Sequence, residues 1–328
     1  MKSNPLTEEL ARLLADGDWH AGPELADRLG VTRARVSQQV AELRRLGLEV
    51  FSVSGRGYRL REPLTLLQAD SIRAELAPSR NELLESLEVL AAVDSTNARL
   101  MHADGSATRA CFAEHQSAGR GRNQRAWASP FAANLYFSVA HVMLSPRAPL
   151  GALSLAIGVA LVERLRALNA DAGLKWPNDI HVGAEKLAGI LIEHRGEAGG
   201  RSRVVVGVGL NFSMSPEQAE TIDQPWVGLA DCVAHPPDRN VLGGRLLDGV
   251  LEALVQFPED GFEPFRARWR RLDVAQDQAV VVDDGRRRRT GTARGIGADG
   301  ALQVEFEYGI ESVYAGDVSL RVMTETAT

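Results

Sequence analysis

Three arginines, Arg120, Arg122 and Arg125, fall within six residues of the stretch GRGRNQRAW, Gly119 to Trp127, and Gly121 separates the first two. Guanidinium groups are planar, bidentate donors suited to phosphate or carboxylate. Two anions brought to ~4 Å repel by about 4 kcal/mol at an effective dielectric of 20, so a site that joins them needs such charge. Ordering each loop residue costs ~1–2 kcal/mol. The loop is therefore expected to be mobile when empty and to order around a phosphorylated ligand. Trp127, Phe131, Tyr136 and Phe137 are expected to pin its C-terminal end to the core.

Three other polar islands interrupt apolar sequence. They are VDSTNARL with Asp94, Ser95, Thr96 and Asn97, LKWPNDIHVGAEKLAGILIE with Lys175, Asn178, Asp179 and Lys186, and GVGLNF with Asn211. Taken alone, the first reads as a helix N-cap. Familiar nucleotide motifs are missing: the chain has no G-x-x-x-x-G-K-[ST] loop, and Gly207-Val208-Gly209 lacks the third glycine of a dinucleotide fingerprint. It has no G-x-S-x-G elbow and no histidine pair at metal spacing, so a metal site built by a protein cluster is not expected.

The elements that must hold these islands divide the chain into three. Residues 1–65 predict a winged helix-turn-helix, with the helix-turn-helix at about 22–41. Pro23 opens one helix, Gly30-Val31 turns, Thr32 caps the next, and VFSVSGRGYRL forms a hairpin. Val36, Val40 and Leu43 bury one face of the second helix, and Arg35, Gln38, Gln39 and Glu42 share the other. Residues 33–61 carry seven arginines against two acids in a chain whose net charge is −6. Charge of that sign on the helix and wing suits DNA phosphates, and arginine and glutamine read base edges. Arg33, Arg35, Gln38, Gln39 and Arg56 are the expected DNA contacts.

Residues 63–90 read as a connector plus a helix. In residues 66–272, ALSLAIGVALVERLRAL predicts a buried helix, and KLAGILIEH and RVVVGVGLNF predict strands of a covered sheet. Residues 273–328 read as four or five short strands, fitting an SH3-like barrel, with GRRRRTG, Gly285 to Gly291, at a solvated hairpin tip.

The islands occur in the order STN, Q-x-A-G-R-G-R, K-W-P-N-D, K-L-A-G-I-L and G-x-G-x-N. In that order and spacing the chain resembles the biotin–protein ligases, and with its winged helix the bifunctional ligases that also repress the biotin operon. The likeness runs from about Glu9 to Arg321, and implies a multidomain α+β protein whose central domain is class II synthetase-like, with a mixed sheet. It implies that biotin and ATP condense to biotinyl-5′-adenylate, with Mg²⁺, and that a lysine of the biotin carboxyl carrier protein of acetyl-CoA carboxylase then takes the biotinyl group. Ser95, Thr96, Asn97, Gln116, Arg120, Gly121, Arg122 and Lys186 are the implied biotin contacts. Arg122, Trp127, Lys175, Asn178, Lys186 and Asn211 are the implied nucleotide contacts. Lys186, Arg122 and Asp179 are the implied catalytic groups, Asp179 orienting the attacking lysine or a Mg²⁺ ion. An adenylate-promoted homodimer on operator DNA is the implied repressor. A ligase with a vestigial helix-turn-helix, and a ligand sensor with an inactive synthetase, stay open as alternatives. One departure stands out: the family loop often reads G-R-G-R-x-G-R, and Gln124 replaces its third glycine.

Bulk properties narrow the setting. A net charge of −6 excludes a protein that coats nucleic acid indiscriminately. Cys111 and Cys232, the two cysteines, fit a reducing compartment. The N-terminus shows no apolar leader, and the longest apolar run, near Ala152–Leu161, is shorter than the ~20 residues of a membrane span. A cytoplasmic protein without membrane contact is expected.

Overall fold

The computed structural model describes residues 5–103, 105–144, 149–196, 201–283, 287–315 and 319–322. The N-terminal unit is α1 (Pro5–Leu14), α2 (Gly22–Arg28), α3 (Arg33–Arg45) and the antiparallel hairpin β1 (Val50–Val53) and β2 (Gly57–Leu60). Pro23 sits in the first turn of α2, and the Thr32 hydroxyl accepts from the Arg35 amide to open α3. Leu10, Leu14, Leu25, Val36, Val40 and Leu43 close a core. Phe131 packs into this core rather than pinning the arginine loop to the central one.

The central unit follows as α4 (Ala69–Arg73), α5 (Pro78–Leu83), β3 (Leu84–Leu90), α6 (Thr96–Met101), β4 (Thr108–Ala113), β5 (Leu135–Met143), α7 (Leu153–Arg166), β6 (Ala172–Lys175), β7 (Asp179–Val182), β8 (Glu185–Gly196), β9 (Ser202–Leu210), α8 (Leu229–Cys232), α9 (Arg239–Asp260) and α10 (Glu263–Leu272). The segment before Leu90 thus holds two short helices and an edge strand, not a connector and one helix. Its strand shows no clean alternation because an edge position half-buries most of its residues. Seven strands run β3-β4-β5-β9-β8-β7-β6, with only β3 and β4 parallel among the paired neighbours.

Each strand sends alternate residues to opposite faces. On β9, Val204, Val206, Val208 and Leu210 join the main core, which the buried α7 and α9 cover. Val205 faces the other way, joining Leu100 of α6. Two layers of helix therefore enclose one mixed sheet, and α6 shares its face with open ground.

The last unit is an antiparallel sheet ordered β13-β12-β11-β10-β14, from β10 (Ala279–Asp283), β11 (Arg288–Ile296), β12 (Leu302–Phe306), β13 (Gly309–Val313) and β14 (Ser319–Val322). The Trp176 indole donates to the Gly300 carbonyl at 3.1 Å, tying this unit to the central one. Most of the tip of the GRRRRTG hairpin, Gly285 and Arg286 included, lies outside the described residues.

The chain between the first two units is held by a buried ion pair. Arg239 and Glu114 meet at 2.8 Å, both almost fully enclosed. Arg239 also donates to the Thr65 carbonyl, and Glu114 accepts the Leu67 amide. Asn240 accepts from the Gln68 amide and donates to the Leu66 carbonyl. Removing one member of such a pair strands a buried charge, at about 3–5 kcal/mol. Arg239→Ala is expected to lose that much in equilibrium urea unfolding; a loss under about 1 kcal/mol would show that the linker is held otherwise.

Candidate active site

The open face of the sheet is cleared by glycines. The register sets Ser138, Gly207 and Leu191 side by side on β5, β9 and β8, and Tyr136, Gly209, Gly189 and Asp179 in the next row. A Cβ at Gly207 would stand 2.3 Å from Asn97 Oδ1, and one at Gly209 2.5 Å from the Trp127 indole. No real Cβ makes such contacts, so the bare backbone lets Asn97 and Trp127 sit directly on the strands.

Ser95, Thr96 and Asn97 occupy the first turn of α6, all buried. Ser95 caps the helix, its hydroxyl oxygen accepting from the Ala98 amide. The Thr96 amide and hydroxyl both approach Gln116 Oε1, at 2.9 and 3.1 Å. The Ser138 hydroxyl lies 2.7 Å from Thr96 Oγ1 and 2.6 Å from Asn97 Oδ1. Two hydroxyl hydrogens therefore serve three oxygen–oxygen contacts, those of Thr96 with Gln116 and of Ser138 with Thr96 and Asn97. The cluster is rich in acceptors and short of donors. Asn97 Nδ2 donates to Glu193 Oε2 at 2.8 Å, and Arg120 Nη2 donates to Glu193 Oε1 at 3.0 Å.

Beside this cluster lies a charged corner. Lys186 pairs with Asp179 at 2.9 Å, and its ammonium stands 5.3 Å from the Trp127 ring centre. Lys186 is fixed through its backbone as well. Its amide donates to the Pro225 carbonyl, and its carbonyl accepts the Val227 amide and the Asn211 side chain. Asn178 donates its side-chain amide to the Ile190 carbonyl at 2.7 Å. Asn178 and Asn211 are thus occupied with backbone around the corner. Lys175 ends β6, across the register from Asp179.

The arginine loop is a narrow turn over these groups. Trp127 donates its amide to the Gly119 carbonyl, and Gly121 its amide to the Arg125 carbonyl. Arg122 opens a single 3-10 turn in which Asn123 has φ 54° and Gln124 φ 57°. Gln124, at the place of the family's third glycine, therefore does adopt the left-handed conformation. The Trp127 indole nitrogen is buried without a hydrogen-bond partner. Glu193 and Ser138 were missed in the sequence; the signal was a polar residue directly after the apolar run Leu187–Ile192 of β8 and another between Phe137 and Val139 of β5.

Residues 89–211 match the biotin/lipoate A/B protein ligase family, 6–59 an HTH domain and 277–321 the biotin protein ligase C-terminal domain. The chain is 40% identical to the bifunctional ligase/repressor BirA of Salmonella typhimurium over 98% of its own length and 99% of that protein's. The chain belongs to the bifunctional biotin–protein ligase and repressor family. Its identity to BirA of Escherichia coli is 39% over the same shares of both chains. Among solved structures, the biotin protein ligase of Aquifex aeolicus in complex with biotin and ATP aligns with a TM-score of 0.62 at 28% identity, covering 73% of this chain and all of that one.

A second polar surface lies on α3, within the stretch that matches the HTH domain. Arg33, Arg35 and Gln38 are exposed, as is Arg56 at the hairpin tip, with Arg56 and Arg59 stacked over Trp19. Gln39 is not available there, contrary to the reading from its spacing. It is 3% exposed, because α1 crosses this side of α3 and the Thr7 hydroxyl donates to its Oε1 at 2.6 Å. Ser37 is exposed instead. Among the described residues no helix is long and apolar enough to cross a membrane, and no group of three or more His, Cys, Asp or Glu side chains could hold a metal ion.

His181, opposite Lys186 in the register, is 5% exposed. Burial first, and Lys175 next, push its pKa down to about 4. Burial also lowers His115 and His141. As pH falls from about 6.5 towards 4, the unfolded chain takes up protons that the folded one refuses, so stability falls. His181 alone contributes up to about 3 kcal/mol of that loss. His181→Gln is expected to flatten stability against pH in this window; an unchanged slope would contradict the assignment. Left-handed backbone at a non-glycine residue costs about 1–2 kcal/mol. Gln124→Gly is expected to raise hydrogen-exchange protection of the Gly121 and Trp127 amides by about fivefold or more; equal protection would show that Gln124 is unstrained.

Proposed function

We propose that this chain activates biotin with ATP to biotinyl-5′-adenylate, transfers the biotinyl group to a lysine of the biotin carboxyl carrier protein of acetyl-CoA carboxylase, and represses biotin synthesis by binding operator DNA. The observation that carries the reading is the acceptor-rich cluster on bare strand backbone, set against a lysine and arginine corner. A ureido ring brings two N–H donors and one carbonyl. Gln116, Asn97, Thr96 and Ser138 offer acceptors for the first, and the Ser95 hydroxyl offers a donor for the second. The apolar ring and valeryl chain fit ground lined by Trp127 and glycine backbone.

Lys186, Arg120, Gly121 and Arg122 supply positive charge and backbone where the biotin carboxylate meets the α-phosphate. The carboxylate attacks that phosphorus, pyrophosphate leaves, and the carrier amine then displaces AMP from the acyl carbon. Asp179, in contact with Lys186, is the group to orient that amine. Lys175, Asn178 and Asn211 border the nucleotide side, the two amides by fixing the strand ends. Asp179 is a lone carboxylate already facing an ammonium, which fits Mg²⁺ carried in on the ATP phosphates better than a site built by the protein. Closure of the arginine loop shields the mixed anhydride from water. Arg33, Arg35, Gln38 and Arg56 contact DNA, and an adenylate-promoted homodimer presents two copies of α3 to a two-fold site.

Intact mass of an apo carrier domain incubated with the chain, biotin, ATP and Mg²⁺ tests the ligase. A single biotinyl addition is expected, with Lys186→Ala slowing it by about 10²-fold or more. Biotin binding without any addition would make the chain a sensor instead.

A further inference from the structure

Glu193 lies at neither end of the polar cluster but between its two halves. It stands on β8, two residues after Leu191 and opposite Val205 of β9, on the cleared face of the sheet. One carboxylate oxygen takes the Asn97 amide at 2.8 Å, and the other takes Arg120 at 3.0 Å. Asn97 Nδ2 also reaches the Leu191 carbonyl, at 3.5 Å. The Glu193 side chain is about 29% exposed, so it is neither a free surface charge nor part of the apolar core.

We propose that Glu193 is a positioning residue that sets the hydrogen-bonding polarity of the ureido pocket and holds the arginine loop to it through the same carboxylate. This rests on the biotin reading of the pocket given above. A carboxylate only accepts hydrogen bonds, so it compels the NH₂ side of Asn97 to face it. Oδ1 then turns to Ser138 and the pocket, where it can accept a ligand N–H. An amide at position 193 could donate as well as accept, and Asn97 would be free to present either side. Arg120 takes the second oxygen. The loop is thereby anchored to the group that orients Asn97, and the pocket and its cover share one fixed point.

The test is a pair of double-mutant cycles. Calorimetry gives the Kd for biotin of the wild type, Glu193→Gln, Asn97→Ala and the double variant. Release of biotinyl-adenylate is followed in the wild type, Glu193→Gln, Arg120→Ala and their double variant. Glu193→Gln is expected to weaken biotin binding by about tenfold, with no further loss in the Asn97→Ala background. It is also expected to speed adenylate release, with no further gain once Arg120 is alanine. A residue that only supports the strand would give additive losses in both cycles, and that result overturns the proposal. So does normal biotin affinity in Glu193→Gln beside a loss in Asn97→Ala. Normal affinity in Asn97→Ala means that the pocket reading itself has failed, and the role of Glu193 with it. If Glu193→Gln does not fold, Glu193→Asp, which still only accepts, is compared with Glu193→Ala. Retained affinity in the first alone supports the proposal, and equal loss in both overturns it.

Discussion

The site depends on side chains that are missing. Gly207 and Gly209 strip one face of β9, and Gly189 strips its neighbour on β8, so that Asn97 and Trp127 rest on backbone. Glycine in a strand interior costs roughly 0.5–1 kcal/mol, and no packing argument favours three of them on adjoining strands. Contact with the sheet by a polar side chain and an indole gives the reason. Everything around follows from that clearance. The α6 N-terminus descends far enough for Thr96 and Asn97 to meet Ser138. Lys186 and Asp179 stand at the rim, and the arginine loop folds back across the gap.

A second constraint joins this site to the DNA-binding unit. Glu114 immediately precedes His115 and Gln116, and its carboxylate accepts from the linker at Leu67 and pairs with Arg239 of α9. Phe131, which follows the arginine loop, packs into the N-terminal core, and its amide reaches the Leu46 carbonyl at the end of α3. The path from pocket to recognition helix is therefore a few residues of buried, bonded chain.

Much of this was legible in the sequence because it is local. Thr32 and Ser95 cap helices as their types suggest, Pro23 opens one, and the apolar runs at Leu153 and Ser202 form the buried helix and strand they resemble. What was not legible comes from contacts between distant segments. Gln39 reads as a polar-face residue until α1 covers it. Phe131 reads as an anchor of its own loop until a neighbouring unit takes it up. The Asn178 and Asn211 amides bond the Ile190 and Lys186 carbonyls, contacts that nothing in their neighbours along the chain foretells. Glu193 and Glu114 are acids that close apolar runs, and their partners lie far away in sequence.

The claim that glycine clearance makes the ligand site is tested most directly by titrating biotin into Gly207→Ala by calorimetry. The added methyl would collide with Asn97 and with nothing on the core face. Overpacking of this kind costs the fold about 1–3 kcal/mol, so a modest drop in thermal stability is expected; because the methyl also pushes Asn97 out of its place in the pocket, binding is expected to weaken by about fivefold or more. Unchanged affinity would mean that biotin does not bind on this face of the sheet.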